Sequence, residues 1–251
     1  MAISLSAVII TYNEERNIER CLASLVGIAD EIIVVDSFSS DKTEAICSAF
    51  SAKFIQNKFE GHIQQKNFAI SCATFDWILS LDADEALTDE LKKSILKVKE
   101  NADFTGFQMN RLTNYCGKWV KHCGWYPDTK IRLVHRNFAS WTGVNPHDKL
   151  EMKNGEKIGH LQGDLLHYSY YSKQDHLKQI EYFGNIASKE LFNQGIKSNW
   201  FKITYKVVAQ FFKSYFLKLG ILDGGTGFTI SRLSAYATYV KYHKLLLLSR
   251  K

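Results

Sequence analysis

The sequence is poor in several features that would have placed it quickly. It has only two prolines, Pro127 and Pro146, and five cysteines in 251 residues. Cys21, Cys47, Cys72, Cys116 and Cys123 form no CxxC pair and leave one odd thiol. That speaks against a disulfide framework or a zinc ribbon and for a reducing compartment. No run reaches the ~18 consecutive apolar residues that a spanning helix needs, so a soluble or peripheral protein is expected. The opening stretch MAISLSAVIITYNEE has neither a basic flank nor a small-residue cleavage site, and reads as a first strand and not as a signal peptide. There is no low-complexity tract and no internal repeat. GxGxxG, Walker A and GxSxG patterns are missing too, which weighs against dinucleotide binding, P-loop chemistry and serine hydrolysis.

What is present is globular: 45% hydrophobic and 23% charged residues, enough for one α/β domain with or without an appendage. The net charge of +6 is unevenly spread. From Trp200 onward nine Lys or Arg face a single acid, Asp223, so this tail is +8 and residues 1–199 are −2. Such asymmetry points to a surface partner of opposite sign.

Residues 5–100 alternate strand and helix, the pattern of a mostly parallel sheet. Strands are expected at Leu5–Thr11, Glu31–Asp36, Lys53–Gln56 and Trp77–Asp82. Asn13 is expected to cap a helix with the apolar face Ile18, Leu22, Leu25, and Ser39-Ser40-Asp41 one carrying Ala45, Ile46, Ala49. Gln64–Ala73 reads as a third helix. Thr88 should cap another, with Leu91, Ile95 and Val98 inward. Between 104 and 168 short strand-like pieces (Gly106–Thr113, Lys130–His135, Lys157–His160, Leu165–Ser169) alternate with loops rich in Trp, Tyr, Gly and His. The rest reads as helical, broken at Gly220–Gly227. The expected division is a catalytic domain over 1–170, with a nucleotide-binding half 1–100 and an acceptor half 101–170, and a helical extension over 171–251.

Ligands of open α/β sheets sit outside the carboxyl ends of the strands. Three polar clusters fall there: Thr11-Tyr12-Asn13-Glu14, Asp36-Ser37 and Asp82-Ala83-Asp84-Glu85. In LDADE, two carboxylates one residue apart at a strand end suit a hard divalent cation with positions left for phosphate oxygens. A diphosphate leaving group needs such an ion as its bond breaks. Tyr12 could stack on a flat base, while Glu14 and Glu15 would repel phosphate from that turn.

TYNEERNIERCLASL, EIIVVDSFSSDKTEAI and QQKNFAISCATFDWILSLDADEAL, in that order and spacing, resemble the opening blocks of the family 2 glycosyltransferases. QKN, WYPDTKIRLVHRNFASWTGVNPHDKL and LLHYSYYS are similar, more narrowly, to the bacterial enzymes that add glucose to the inner core of lipopolysaccharide. The resemblance implies a GT-A fold, an inverting single displacement and a divalent metal, Mg²⁺ or Mn²⁺. It implies a UDP-sugar donor and a lipid-linked saccharide acceptor. Thr11 and Tyr12 would lie against uracil, and Asp36 would accept from its imide N–H, with Glu14 in the same donor set. Lys66 would lie near the nucleotide or diphosphate. Asp82 would face the ribose or the metal's water shell, and Asp84 would ligate the metal. Asp148 stands where the family carries its base; the closer relatives show His-Glu where this chain has His147-Asp148.

His167 is a candidate to complete the metal site or touch the diphosphate, with a core histidine as the alternative. His147 is a candidate to orient its loop. Arg132 and Arg136, on one expected strand face, are candidates for phosphate or acceptor contact or for plain surface charge. Trp125, Tyr126 and Trp141 could stack on sugars or pack in the core. The basic, aromatic tail suits an anionic membrane surface first, core packing second and nucleic acid a distant third. The whole reads as a cytoplasmic enzyme at the inner face of a bacterial inner membrane. The rival readings are a metal-dependent nucleotidyltransferase and a non-catalytic membrane-binding protein.

Overall fold

The computed structural model describes residues 3–144, 147–153 and 155–249. Pro146, the His147 side chain, Arg250 and Lys251, all invoked above, lie outside the described residues. The chain divides into two compact units, residues 1–111 with 128–168 and residues 112–127 with 169–251.

The first unit begins with β1 (Leu5–Thr11), α1 (Ile18–Leu25), β2 (Glu31–Asp36), α2 (Thr43–Ala49), β3 (Lys53–Gln56), α3 (His62–Ser71) and β4 (Trp77–Asp82). β1 is buried along nearly its whole length, as a central parallel strand covered on both faces must be. β5 (Glu85–Leu87) and α4 (Asp89–Glu100) follow, then β6 (Gly106–Tyr115), β7 (Lys118–Val120), β8 (Asp128–His135), β9 (Ala139–Val144), β10 (His147–Met152) and β11 (Ile158–Tyr170). The main sheet runs β3-β2-β1-β4-β8-β6-β11-β5, with β7 on β6, and β9-β10 form a separate hairpin. β3, β2, β1 and β4 pair in parallel, while β8 runs antiparallel to β4 and β6 and β11 antiparallel to β5. The sheet is therefore mixed rather than mostly parallel, because helical crossovers stop after α4 and strands then reverse directly.

Two apolar layers flank this sheet. Ile18, Leu22 and Leu25 of α1 and Leu91, Ile95 and Val98 of α4 share one cluster with Leu5, Ile9, Leu79 and Leu81. Ala69 and Ile70 of α3 share the other with Val8, Ile33, Val35 and Ile78, joined by Trp141 and Leu150 of the hairpin. Thr88 caps α4 as expected, its hydroxyl accepting from the Leu91 N–H at 3.3 Å. Asn13 does not cap α1. It sits at φ 54°, and its side-chain oxygen accepts from the Ser40 N–H at 2.8 Å, while the helix starts only at Ile18. α2 likewise turns Thr43 and Cys47 inward and leaves Ala45 and Ala49 exposed.

The second unit holds the 112–127 segment, α5 (Lys173–Asn193), α6 (Trp200–Phe212) and α7 (Gly224–Leu248). Its core joins Tyr115, Val120 and Cys123 to Ile180, Ile230, Leu233 and Val240, so residues 112–127 pack with the helices. Gly227 is required where α7 passes the Gly220 carbonyl, since a Cβ there would lie 1.8 Å from that oxygen.

His176 is buried in this core, its Nδ1 3.3 Å from the Tyr115 hydroxyl, and burial pushes its pKa down to about 4. Above pH ~6.5 both folded and unfolded states are neutral at this residue, so it costs nothing. As pH falls from ~6.5 toward 4 the unfolded chain takes up a proton that the fold refuses, and stability drops by roughly 3 kcal/mol in all. Urea midpoints of the second unit's transition should fall across that window, and His176→Phe should flatten the slope. An unchanged slope in the variant would remove His176 as its source.

Candidate active site

The parallel register sets three polar clusters level at one edge of the first unit. Thr11 pairs with Asp36 across β1–β2, and Ile10 pairs with Asp82 across β1–β4. The turn after β1 and the loop after β2 lock together. Ser39 Oγ accepts from Asn13 N at 2.7 Å, Thr43 Oγ1 from Glu14 N at 3.0 Å and Asp41 Oδ2 from Glu15 N at 3.0 Å. Asp36 is fully buried, and its carboxylate accepts from Ser39 N and Oγ. Tyr12 is 60% exposed, and the buried Thr11 hydroxyl has no hydrogen-bond partner among the described residues.

Beside this edge lies a chain of alternating charges. Lys66, on α3, reaches Asp82 Oδ1 at 2.9 Å and Asp148 Oδ2 at 2.8 Å. Arg132, on β8, donates through Nη2 to Asp82 Oδ2 and to Glu85 Oε1, both at 2.8 Å. Arg111 joins Glu85 at 3.4 Å to Asp128 at 2.8 Å. Burial alone would raise the Asp82 pKa, but Lys66 and Arg132 outweigh it and hold the carboxylate well below its usual range. Burial opposes the Arg132 charge in the same way, and Glu85 and Asp82 hold its pKa above the ordinary value.

Asp84 belongs to a different partner. β5 pairs with β11 so that Glu85 lies opposite His167, and Asp84 Oδ2 comes 3.2 Å from His167 Nε2. Two ligands at right angles on an octahedral ion with ~2.1 Å bonds would stand about 3 Å apart, so this pair fits adjacent ligands of one divalent cation. Burial, then Asp84, Asp41 and Asp82, push the Glu14 pKa up against the hydrogen bond from Asn17. A cation here would relieve that crowding. No group of three or more His, Cys, Asp or Glu is gathered as a metal cage among the described residues. Two protein donors, with the rest supplied by phosphate and water, match how hard cations sit in phosphate sites.

A cavity of about 610 Å³ opens on this chain of charges, lined among others by Lys66, Asp82, Arg132, Trp141, Asp148 and Lys149. Trp141 forms part of the wall, with the Lys66 ammonium 4.1 Å from its ring centre and Nε1 donating to Ser80 Oγ at 3.3 Å.

Comparison with known proteins places the chain in a family. The Glycosyl transferase family 2 profile matches residues 6–195. The chain belongs to glycosyl transferase family 2. An uncharacterized glycosyltransferase of Rickettsia typhi is 33% identical over 257 residues, covering 98% of this chain and 88% of that protein. LpsC, a lipopolysaccharide core biosynthesis glycosyltransferase of Rhizobium meliloti, is 23% identical over 256 residues, covering 95% of this chain and 93% of its own. The crystal structure of S. aureus TarS 1–349 in complex with UDP has a TM-score of 0.46 at 14% identity, over 99% of this chain and 91% of that one.

In this family 2 glycosyltransferase Lys66, Asp82, Arg132 and Asp148 share one cavity, Asp84 and His167 form a pair, and Thr11 and Asp36 face each other at the strand ends. Arg136 is elsewhere. It lies in the 3₁₀ turn after β8 and donates to the Ala73 and Ile70 carbonyls at 2.8 and 3.0 Å, fastening the end of α3. Trp125 is half-buried against the core of the second unit, beside Tyr115 and Tyr170.

Sequence reasoning placed Glu85 in its strand-end cluster but gave it no role, and it missed what QKN does as a unit; Glu85 is buried and joins both arginines. Gln65 donates to Ser37 Oγ at 3.2 Å, Lys66 bridges two carboxylates, and Asn67 pairs with the Trp141 backbone at 2.9 and 3.0 Å. The available signal was a helix, HIQQKNFAIS, whose inward positions include Gln65 and Lys66.

Proposed function

We propose that this glycosyltransferase moves a hexose, glucose, from a UDP-sugar to a hydroxyl of a lipid-linked saccharide such as the lipopolysaccharide inner core, with inversion. The observation that carries the reading is Asp148. Its carboxylate stands on a separate hairpin and reaches the strand-end carboxylate Asp82 through Lys66, in one cavity. The name of the R. meliloti relative supports the acceptor class, and a lipid-linked acceptor puts the work at the inner face of a bacterial inner membrane.

Uracil would stack on exposed Tyr12, bond the orphaned Thr11 hydroxyl and donate to Asp36, with Glu14 beneath. Asp84 and His167 would hold Mg²⁺ or Mn²⁺, which supplies Lewis-acid stabilisation of the departing diphosphate. Lys66 and Arg132 add positive charge on the cavity side, and Asp82 faces the ribose. Asp148 accepts the acceptor hydroxyl's proton as that oxygen attacks the anomeric carbon opposite UDP. Asp82, held ionised with both oxygens engaged, is not spare to serve as a covalent nucleophile, which favours single displacement.

Calorimetric titration of UDP, three UDP-sugars and ATP, with Mn²⁺ and with EDTA, tests this. UDP and one UDP-sugar should bind only with metal, and Asp84→Ala should abolish the metal dependence. No uridine nucleotide binding would sink the donor assignment, and ATP binding in its place would favour a nucleotidyltransferase.

A further inference from the structure

Helix α6 carries two apolar faces where a surface helix carries one. The inward face is ordinary: Ile203 is buried and Val207 and Phe211 are half-buried. The outward face is not. Phe201, Tyr205, Val208, Phe212 and, in the following π-helical turn Lys213–Leu217, Phe216 recur at spacings of three and four residues, and all are exposed. That spacing sets them on one stripe. The chain then enters a short 3₁₀ turn, Gly220–Asp223, around which Leu219, Ile221 and Leu222 are exposed as well. Phe201 is 84%, Leu217 78% and Leu222 64% exposed. Single exposed apolar residues need no explanation, but a continuous stripe of this kind does.

The charge along the stripe says what covers it. Between residues 200 and 222 there are four lysines, Lys202, Lys206, Lys213 and Lys218, and no acid. Lys206 and Lys213, both exposed, each follow a member of the stripe by one residue and so line its flank, while Lys202 turns back to donate to the Lys197 carbonyl at 2.8 Å. Lysine ion pairs among the described residues involve Lys66, Lys92, Lys99, Lys130 and Lys244, and none of these four. A second copy docking by the same face would set lysine against lysine with no carboxylate to relieve them. No helix among the described residues is long and apolar enough to cross a membrane.

We propose that this face of the second unit docks on an anionic bilayer surface, the aromatic stripe and the Leu217–Leu222 turn sunk at the acyl boundary and the lysines on headgroup phosphates. Each lysine would strengthen binding about fivefold at a charged surface. The inference does not depend on the donor assignment.

The test is sedimentation of the full chain with vesicles of phosphatidylcholine alone or mixed with phosphatidylglycerol, alongside its oligomeric state in solution. The protein should bind the mixed vesicles far better than the neutral ones. Phe201→Ser with Phe212→Ser should weaken that binding about a hundredfold at unchanged thermal stability, since both side chains are exposed. Lys206→Glu with Lys213→Glu should weaken it on phosphatidylglycerol only. Equal binding to both vesicle types, or none, overturns the proposal. So does a dimer in solution that the double serine variant dissociates.

Discussion

Asp148→Asn should lower sugar transfer by about a thousandfold and leave UDP binding unchanged, because general-base catalysis contributes 10²- to 10⁴-fold and the amide cannot take a proton. The substitution keeps the shape of the side chain on β10. It removes one of the two carboxylates that Lys66 bridges, but Lys66 retains Asp82 at 2.9 Å. The donor side of the site, with Asp84 and His167, is on different strands and should hold metal and UDP as before. A second variant separates base chemistry from hairpin placement. Asp148→Glu restores a carboxylate one methylene longer and should recover a measurable part of the lost turnover, whereas a purely structural role would be served no better by Glu than by Asn. Turnover by release of UDP, with binding measured separately, decides it. Wild-type kcat in Asp148→Asn would mean that the proton goes elsewhere.

What the sequence made legible follows from burial. The runs LSAVIIT, EIIVVD and WILSLD are strands covered on both faces, so their apolar continuity marks them within a residue of their true ends, and the polar residues that follow mark the site edge. Asp82 and Asp84 were visible for the same reason. α2 was misjudged because it is short and anchored by polar bonds. Thr43 faces Asp41 and Glu14, and the alanines that looked like a core face are exposed. The two strand pieces expected at 157–160 and 165–169 are one strand, Ile158–Tyr170, which passes at Gly163 (φ 93°) so close to α4 that a Cβ would lie 2.3 Å from the Leu91 nitrogen. The charge chain was illegible because its links are long-range. Arg111 and Arg132 lie 26 and 47 residues from Glu85, and no local pattern separates a buried Glu85 from another solvated acid after Asp82 and Asp84.

That hub supplies the largest stability effect to be expected. Glu85→Ala should destabilise the first unit by roughly 3 kcal/mol, the low end of the cost of removing one partner from a buried charge network. Glu85 is 1% exposed, and its carboxylate meets Arg132 at 2.8 Å and Arg111 at 3.4 Å and accepts from the Asp82 N–H at 3.0 Å. Without Glu85, Arg132 would keep only its hydrogen bond to Asp82 and the field of Asp148, and its Nε is already without a partner among the described residues. The loss should appear as a lower urea midpoint of the first unit's transition. Uncompensated charge makes a further demand on the double variant. Combining Glu85→Ala with Arg132→Met removes the stranded cation, so the pair should cost clearly less than the sum of the singles, while Asp82 keeps Lys66. Additive losses would mean that Glu85 contributes by packing alone, and the chain of charges from Asp128 to Asp148 would then be a set of independent pairs.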